Sequence, residues 1–366
     1  MKKILFIINN YNYFETHKKE FIIKLSKEYN VLIAIPKNTK KINSLNNINF
    51  IKYNFSRKIN PLTDIISLYQ IYKIVKNFKP DIVHSFTIKP IIFTNILSFI
   101  IKMKIINNFS GLGILFSKKS ISLKFLKFIF IIIIKLFNRN INKVITQTNF
   151  DKKILIKNSL FLNNTFHIVP GSGVIVNKNI VRKNLNNNKH IILLATRLLK
   201  QKGIDTFCEL SNICKLENIE FHLIGDIDLD NPDSLTLNEI NYLIDHSRVK
   251  WFGFQKDTSL FYKNCDIFCF PSVYGEGIPK SILEASSYRR PVVAFDNVGL
   301  DEIIIDNHNG YLIEKKNIKK MLDRIIFLCL NPEIKEKLGN NAELMIRKKY
   351  SLDIINTQML EIHKNF

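Results

Sequence analysis

None of the five cysteines stands in a Cys-x-x-Cys pair, and several of Cys208, Cys214, Cys265, Cys269 and Cys329 lie in apolar runs. That spacing excludes the paired-cysteine redox and zinc motifs and fits buried thiols in a reducing compartment. No glycine occurs in residues 9–20 (NNYNYFETHKKE), the turn after the first apolar run. A dinucleotide fold carries G-x-G-x-x-G at that point, so its absence argues against a nicotinamide cofactor. No acidic residue lies between Asp81 and Asp151, yet ten basic ones do. The most apolar segment, 121–137 (ISLKFLKFIFIIIIKLF), has only seven uncharged residues in its longest run. A membrane-spanning helix needs about twenty, so it does not span. The opening MKKILFIINN has an apolar core of five residues followed by Asn. A first buried strand fits it better than a signal peptide. Asp226, Asp228 and Asp230 alternate, but Asn231 and Leu237 stand where a calcium loop needs Gly and Glu. A solvated loop and no metal are expected there.

What is present is a chain of 366 residues, 46% hydrophobic and 23% charged, long enough for two globular domains. Its net charge of +23 is uneven: residues 1–175 hold 28 Lys or Arg against 6 Asp or Glu, and residues 176–366 hold 26 against 25. A compositional lysine bias would act on both halves. The loss of acids from one half points to an anionic partner for it. No nucleic-acid recognition motif accompanies the charge, and the lysines interleave with core-like Ile and Phe, so nucleic acid is not an expected partner. Segment 121–137 reads either as a core helix or as a helix in a membrane interface, with Lys124, Lys127 and Lys135 reaching for headgroups.

Unalternating apolar runs predict strands at 3–8, 31–35, 48–53, 81–85, 104–107, 143–146 and 166–170, with helices at 14–27 and 61–77 among those between them. The polar stretch 177–189 reads as a linker. A second strand–helix alternation then starts at His190 and continues through strands at 220–225, 249–254, 266–270, 291–295 and 310–313. Two doubly wound α/β domains follow, 1–176 and 177–351, facing across a cleft, with a last helix at 352–366.

One stretch concentrates the chemistry: residues 270–285, FPSVYGEGIPKSILEA. A strand ends at Pro271, Gly275 and Gly277 bracket Glu276, and Pro279 stands where a helix begins. Glu284 follows eight residues after Glu276. Strand–loop–helix units of this kind bind ligands at the strand's C-terminal end, and a helix start suits a phosphate. Two carboxylates beside it suit sugar hydroxyls, because an ionised carboxylate only accepts hydrogen bonds. Arg197 and Lys202 flank another strand-to-helix turn and would clamp a diphosphate. His84 ends a strand, SGLG (Ser110, Gly111, Gly113) makes a turn at the same sheet edge, and Lys89 follows His84 in HSFTIKP.

At these residues the chain resembles the retaining glycosyltransferases of family 4, which have the two-Rossmann-domain GT-B fold. The E-x7-E signature is Glu276 to Glu284, and the R-x4-K pair is Arg197 and Lys202. YFETHKKE, HSFTIKP and FSGLGILFS look like the subgroup that adds a sugar, often an N-acetylhexosamine, to polyprenyl-diphosphate-linked saccharides. The resemblance implies roles for particular residues. Arg197 and Lys202 hold the donor diphosphate. Glu276, with Gly277, Ile278, Lys280 and Ser281 beside it, contacts the donor sugar, and Glu284 the ribose. Phe252 and Gly253 lie near the nucleobase. His84 and Glu276 lie at the reacting centre, and Tyr13, Phe14, His17, Lys89, Ser110, Gly111 and Gly113 form the acceptor side. It implies a UDP-sugar substrate with no further cofactor or metal, and a lipid-linked saccharide acceptor. It also implies a cytoplasmic enzyme, peripheral on the inner face of the plasma membrane at an anionic surface. The last helix would cross back onto the first domain. A sugar-nucleotide epimerase or a phosphorylase on the same fold, and a non-catalytic binding subunit, are the competing readings.

Overall fold

A strand buried on one face alternates apolar with polar residues, so unbroken apolar runs belong to strands covered on both faces. A computed structural model of the chain forms two parallel sheets from such runs. It describes all residues except 40–41, 46, 57–59, 113–120, 139, 159, 162–164, 177–188, 229–230, 232, 274 and 276, with backbone alone at 121–126. The chain divides into two compact units, Met1–Ser172 with Ile355–Phe366, and Gly173–Ile354.

In the first unit, β1 (Lys3–Ile7), β2 (Asn30–Pro36), β3 (Ile48–Tyr53), β4 (Ile82–Phe86), β5 (Lys104–Asn108), β6 (Ile141–Thr146) and β7 (Phe166–Ile168) pair in parallel in the order β3-β2-β1-β4-β5-β6-β7. Successive residues of β1 point to opposite faces. Ile4 and Phe6 pack with Phe14, Phe21 and Met359 on one face, and Leu5 and Ile7 with Ile71, Ile91 and Ile134 on the other. Helices Tyr11–His17, Lys19–Leu25 and Leu352–Lys364 cover the first face, and Pro61–Phe78, Ile88–Leu97 and Ile121–Phe137 the second.

The single helix expected over 14–27 is two helices, parted at Lys18, whose φ of −128° leaves helical geometry. The break costs Lys18 neither backbone bond. Its N–H still donates to the Phe14 carbonyl (2.9 Å), and its carbonyl still accepts from the Ile22 N–H (3.0 Å). Ile121–Phe137 carries two apolar rows, one buried and one exposed. Phe130 and Ile134 are buried in the core, whereas Phe128, Ile132 and Leu136, each four residues apart, are 60%, 40% and 60% exposed.

In the second unit, β8 (His190–Ala195), β9 (Ile219–Ile224), β10 (Val249–Trp251), β11 (Ile267–Phe270), β12 (Val292–Phe295) and β13 (Gly310–Ile313) pair in parallel in the order β10-β9-β8-β11-β12-β13. The strand order reverses between β1 and β4 in one sheet and between β8 and β11 in the other. At such a reversal the loops leaving the two strands run to opposite sides and open a crevice at the C-terminal edge.

His84 departs from its expected place. It is fully buried on β4, its ring stacked on Phe86 at 4.3 Å between centroids. Its Nδ1 lies 3.1 Å from His363 Nε2, and His363 Nδ1 lies 2.7 Å from the Met359 carbonyl. A carbonyl only accepts, so His363 carries its proton on Nδ1, and its Nε2 accepts from His84 Nδ1–H. His84 therefore bonds the final helix to the sheet and presents no surface to a substrate.

Burial holds both rings neutral. It lowers the pKa of His84 well below the ordinary value, with help from His363 and Lys18, and it lowers that of His363 to about 4, with Lys143 adding repulsion. For His363, the unfolded ring protonates from about pH 6.5 while the folded ring stays neutral, so stability falls between pH 6.5 and about 4. Replacing His363 with Asn, which does not titrate, should remove roughly 3 kcal/mol of that acid-side loss. Unfolding curves of both proteins across this range are the check, and parallel pH profiles would contradict it.

Candidate active site

The reversal in the second sheet gathers two segments about seventy residues apart. β8 ends at Ala195, and the chain passes through Arg197 into a 3₁₀ turn, Lys200–Lys202, before the helix Ile204–Ile213. Gly203 joins turn to helix with φ +76°, and a Cβ there would lie 2.2 Å from the Pro271 carbonyl oxygen. Only glycine allows so close an approach. The Gln201 carbonyl then accepts from the Val273 N–H and the Ser272 hydroxyl, both at 3.2 Å. The turn carrying Lys202 is thus stitched to the loop that opens FPSVYGEG. The Lys202 side chain is buried.

Arg197 takes the other side of β8. Its guanidinium is exposed and bonded to Asp228 Oδ2 at 2.7 Å, on the loop after β9. Arg197 is thus held on the β9 side, while the backbone of the turn that carries Lys202 is bonded to the loop after β11. The Asp228 pairing had no signal in the sequence beyond an acidic cluster read as solvated. An exposed pair of this kind is worth at most about 1 kcal/mol, so a diphosphate can displace it.

Pro279 is the N-cap of the helix Lys280–Ser287 and lies just before its first turn, where the sequence had placed it. That cap has no side-chain hydrogen bond. Glu284 Oε2 accepts from the Tyr262 hydroxyl at 3.0 Å, and Oε1 lies 3.6 Å from Lys280 Nζ. Tyr262 is buried, and burial followed by the Glu284 charge pushes its pKa well above the ordinary value. It stays protonated and fixes one carboxylate oxygen, leaving the other toward Lys280. Nothing in the sequence marked Tyr262. Ile278 is buried with the core, while Gly277 and Ser281 flank the same loop and helix start. Glu276 lies outside the described residues.

Beyond β9 and β10 the same edge continues. Gly225, with φ +135°, would place a Cβ 1.7 Å from the Thr196 carbonyl oxygen. Its N–H donates to the Gly253 carbonyl (2.9 Å), and its own carbonyl accepts from the Trp251 indole (3.0 Å). Phe252 is 40% exposed, with its ring 4.9 Å from His222 and 5.2 Å from Phe261 between centroids. Space opens in front of Gly253. Among the described residues no three His, Cys, Asp or Glu side chains cluster as a metal site.

In the first unit, the Tyr13 hydroxyl lies 2.6 Å from Ser110 Oγ, and His17 Nδ1 lies 2.8 Å from Ser172 Oγ. Gly111 has φ +97°. Tyr13 and His17 lie on the helix after β1, Ser110 and Gly111 follow β5, and Ser172 follows β7. Phe14 does not join them: it is fully buried against Tyr11 and Phe50 and is a core residue. Lys89 bonds Asp64 Oδ1 at 2.7 Å and the Ser56 carbonyl at 2.9 Å, which draws it to the Pro61–Phe78 helix. Gly113 lies outside the described residues.

Comparison with known proteins gives the family. The family model described as glycosyl transferases group 1 matches residues 176–345, and the one described as glycosyl transferase 4-like matches residues 3–148. The N,N'-diacetylbacillosaminyl-diphospho-undecaprenol alpha-1,3-N-acetylgalactosaminyltransferase of Campylobacter jejuni is 26% identical, over 95% of this chain and 94% of its own length. The UDP-Gal:alpha-D-GlcNAc-diphosphoundecaprenol alpha-1,3-galactosyltransferase of Escherichia coli is 27% identical over 74% of this chain and 72% of its own. Among solved structures, sucrose-phosphate synthase from Thermosynechococcus elongatus superposes with a TM-score of 0.82 at 16% identity, covering 100% of this chain and 99% of that one. The two matched models take in most of the chain, and it belongs to the glycosyltransferases, with a group 1 module following a 4-like module on the GT-B α/β fold.

Proposed function

We propose that the protein is a retaining, metal-independent family 4 enzyme. It moves an N-acetylhexosamine from a UDP-sugar to a lipid-diphosphate-linked saccharide during surface polysaccharide or glycan assembly. The observation that carries this reading is the Lys202 turn stitched to the 271–273 loop at the strand-order reversal, with Glu284 held by Tyr262 on the helix that follows. The names of the two relatives, both transferases onto diphospho-undecaprenol saccharides, support the acceptor class.

The chemistry follows from where charge develops. As the C1–O bond to the β-phosphate breaks, negative charge grows on the diphosphate. Lys202, Arg197 released from Asp228, and the N-terminus of Lys280–Ser287 compensate it. Glu284 accepts from the ribose hydroxyls, Phe252 and the open space at Gly253 take the base, and Glu276 contacts the donor sugar. The acceptor hydroxyl attacks C1 on the leaving-group face and gives its proton to the departing phosphate oxygen. One glycosidic bond forms, one phosphoester bond breaks, and UDP leaves. His84 takes no part in that step, whereas Tyr13, His17, Ser110 and Gly111 shape the acceptor side.

The acceptor's lipid places the enzyme at a membrane, on its cytoplasmic face. No helix is long and apolar enough to cross one among the described residues. The stripe Phe128, Ile132 and Leu136, with exposed Phe99 and Ile100 nearby in the same unit, suits shallow insertion. Lysines beside it would each add roughly 1 kcal/mol at an anionic surface.

Lys202→Ala should lower kcat about 100-fold and Arg197→Ala about tenfold, with turnover of a UDP-sugar onto a short lipid-diphosphate saccharide unchanged by EDTA. Intact turnover in both variants would overturn the donor assignment. Consumption of donor without acceptor would favour an epimerase. On vesicles, sedimentation should require anionic lipid, weaken with salt and fall about tenfold in Ile132→Glu. Indifference to lipid charge would remove the membrane reading.

A further inference from the structure

One buried charge has no role in the donor chemistry. Lys18 is 4% exposed and stands at the break between the first two helices. Among the described residues no carboxylate or carbonyl accepts from its ammonium. Its Nζ lies 5.5 Å from the centroid of the Phe86 ring and 5.9 Å from that of Tyr13. Ring faces attract a cation but replace little of its lost hydration. Burial alone lowers the pKa of Lys18 to about 8.

The residue that follows Phe86, over whose ring the ammonium lies, carries polar capacity that the fold does not use. Phe86 ends β4, and Thr87 follows with φ +69° and ψ 166°, a conformation costly for a β-branched residue. Among the described residues the buried Thr87 hydroxyl has no hydrogen-bond partner. Thr87 opens the helix Ile88–Leu97 without a side-chain cap, so that first turn offers N–H groups. Tyr13 and His17, bonded to Ser110 and Ser172, stand on the same first helix. An ammonium without a carboxylate or carbonyl partner among the described residues lies over the ring of the residue before Thr87, whose hydroxyl is also unpartnered there and which opens a helix; the three share one complement, a phosphate group.

We infer that Lys18 is the counter-cation of a phosphate-binding site in the first unit, beside Thr87 and the start of Ile88–Leu97, and that it takes the phosphate nearest the saccharide in the lipid-linked acceptor. The acceptor's identity rests on the function proposed above, whereas the phosphate site does not. A lysine needed only for folding would be paired. This one lowers stability wherever it is charged, and a ligand's phosphate relieves that cost.

The test compares wild type with Lys18→Met and Lys18→Arg, all saturated with UDP so that the donor side is filled. Calorimetry with farnesyl diphosphate and, separately, inorganic pyrophosphate reads the site. Lys18→Met should weaken farnesyl diphosphate about tenfold or more, Lys18→Arg much less, and UDP affinity should stay within about twofold in both. Because the folded ammonium titrates below its unfolded value, Lys18→Met should also raise Tm at pH 7, and the gain should shrink as pH rises from 8 toward 10.5. Pyrophosphate weakened as much as farnesyl diphosphate supports a site that reads phosphate alone, and a loss confined to the prenyl compound supports one that needs the lipid. Unchanged binding of both, or a lower Tm in Lys18→Met, overturns the proposal. If wild type fails to bind UDP, the donor reading falls while the Lys18 comparison still decides the phosphate site.

Discussion

The second unit depends on a contact that only a residue without a side chain permits. At Gly203 the backbone runs so close to Pro271 that a Cβ would lie 2.2 Å from its carbonyl oxygen. That approach lets Gln201 accept from residues 272 and 273, so the loops leaving β8 and β11 share hydrogen bonds. Parallel strands with reversed order supply the crevice. The glycine sets how tightly its two walls join, and the position of Lys202 follows from it. Gly225 does similar work one strand away, holding β9's exit against Thr196 and toward Gly253.

Much of this was legible before any coordinates. Unalternating apolar runs located the strands to within three residues at either end, the strand expected at 249–254 stopping at Trp251, because a strand covered on both faces leaves that signature. Pro61 at a helix start was read from its fixed φ and its lack of an N–H. Residues 270–285 announced a strand, a glycine loop and a helix, and the structure has β11 and Lys280–Ser287 there. Side-chain direction was not legible. His84 and Phe14 stand near a sheet edge in sequence but point into the core: nothing local distinguishes the two faces of the fully buried strand that holds His84, and the helix Tyr11–His17 that holds Phe14 is too short for its apolar spacing to fix the inward face. Lys18 was lost among 54 Lys and Arg, since composition makes any one lysine uninformative. Its burial is set by packing of Tyr13 and Phe86, which lie far apart in the chain. Tyr262 escaped notice, and Asp228 was read only as part of a solvated loop, for the same reason: each matters through a partner more than twenty residues away.

The uneven charge now has a structural setting. The acid-poor stretch between Asp81 and Asp151 builds β4 to β6 and the helices around them, including the one with an apolar stripe turned outward. A core helix must bury one face only. This one buries Phe130 and Ile134 and leaves a second apolar row uncovered, beyond what folding requires. Core residues and surface residues on a single helix thus answer to different demands, which is why the sequence alone supported two readings of it.

The return of Ile355–Phe366 to the first unit bears on the order of synthesis. Residues 1–172 leave the ribosome first, yet the helix that covers Phe6 and Phe21 and bonds His84 emerges only after the whole second unit. Until then one face of the β1–β4 region stays open to water and to other nascent chains. The half made earliest is completed last, so the nascent chain needs a chaperone or fast elongation most while its later half is still being translated.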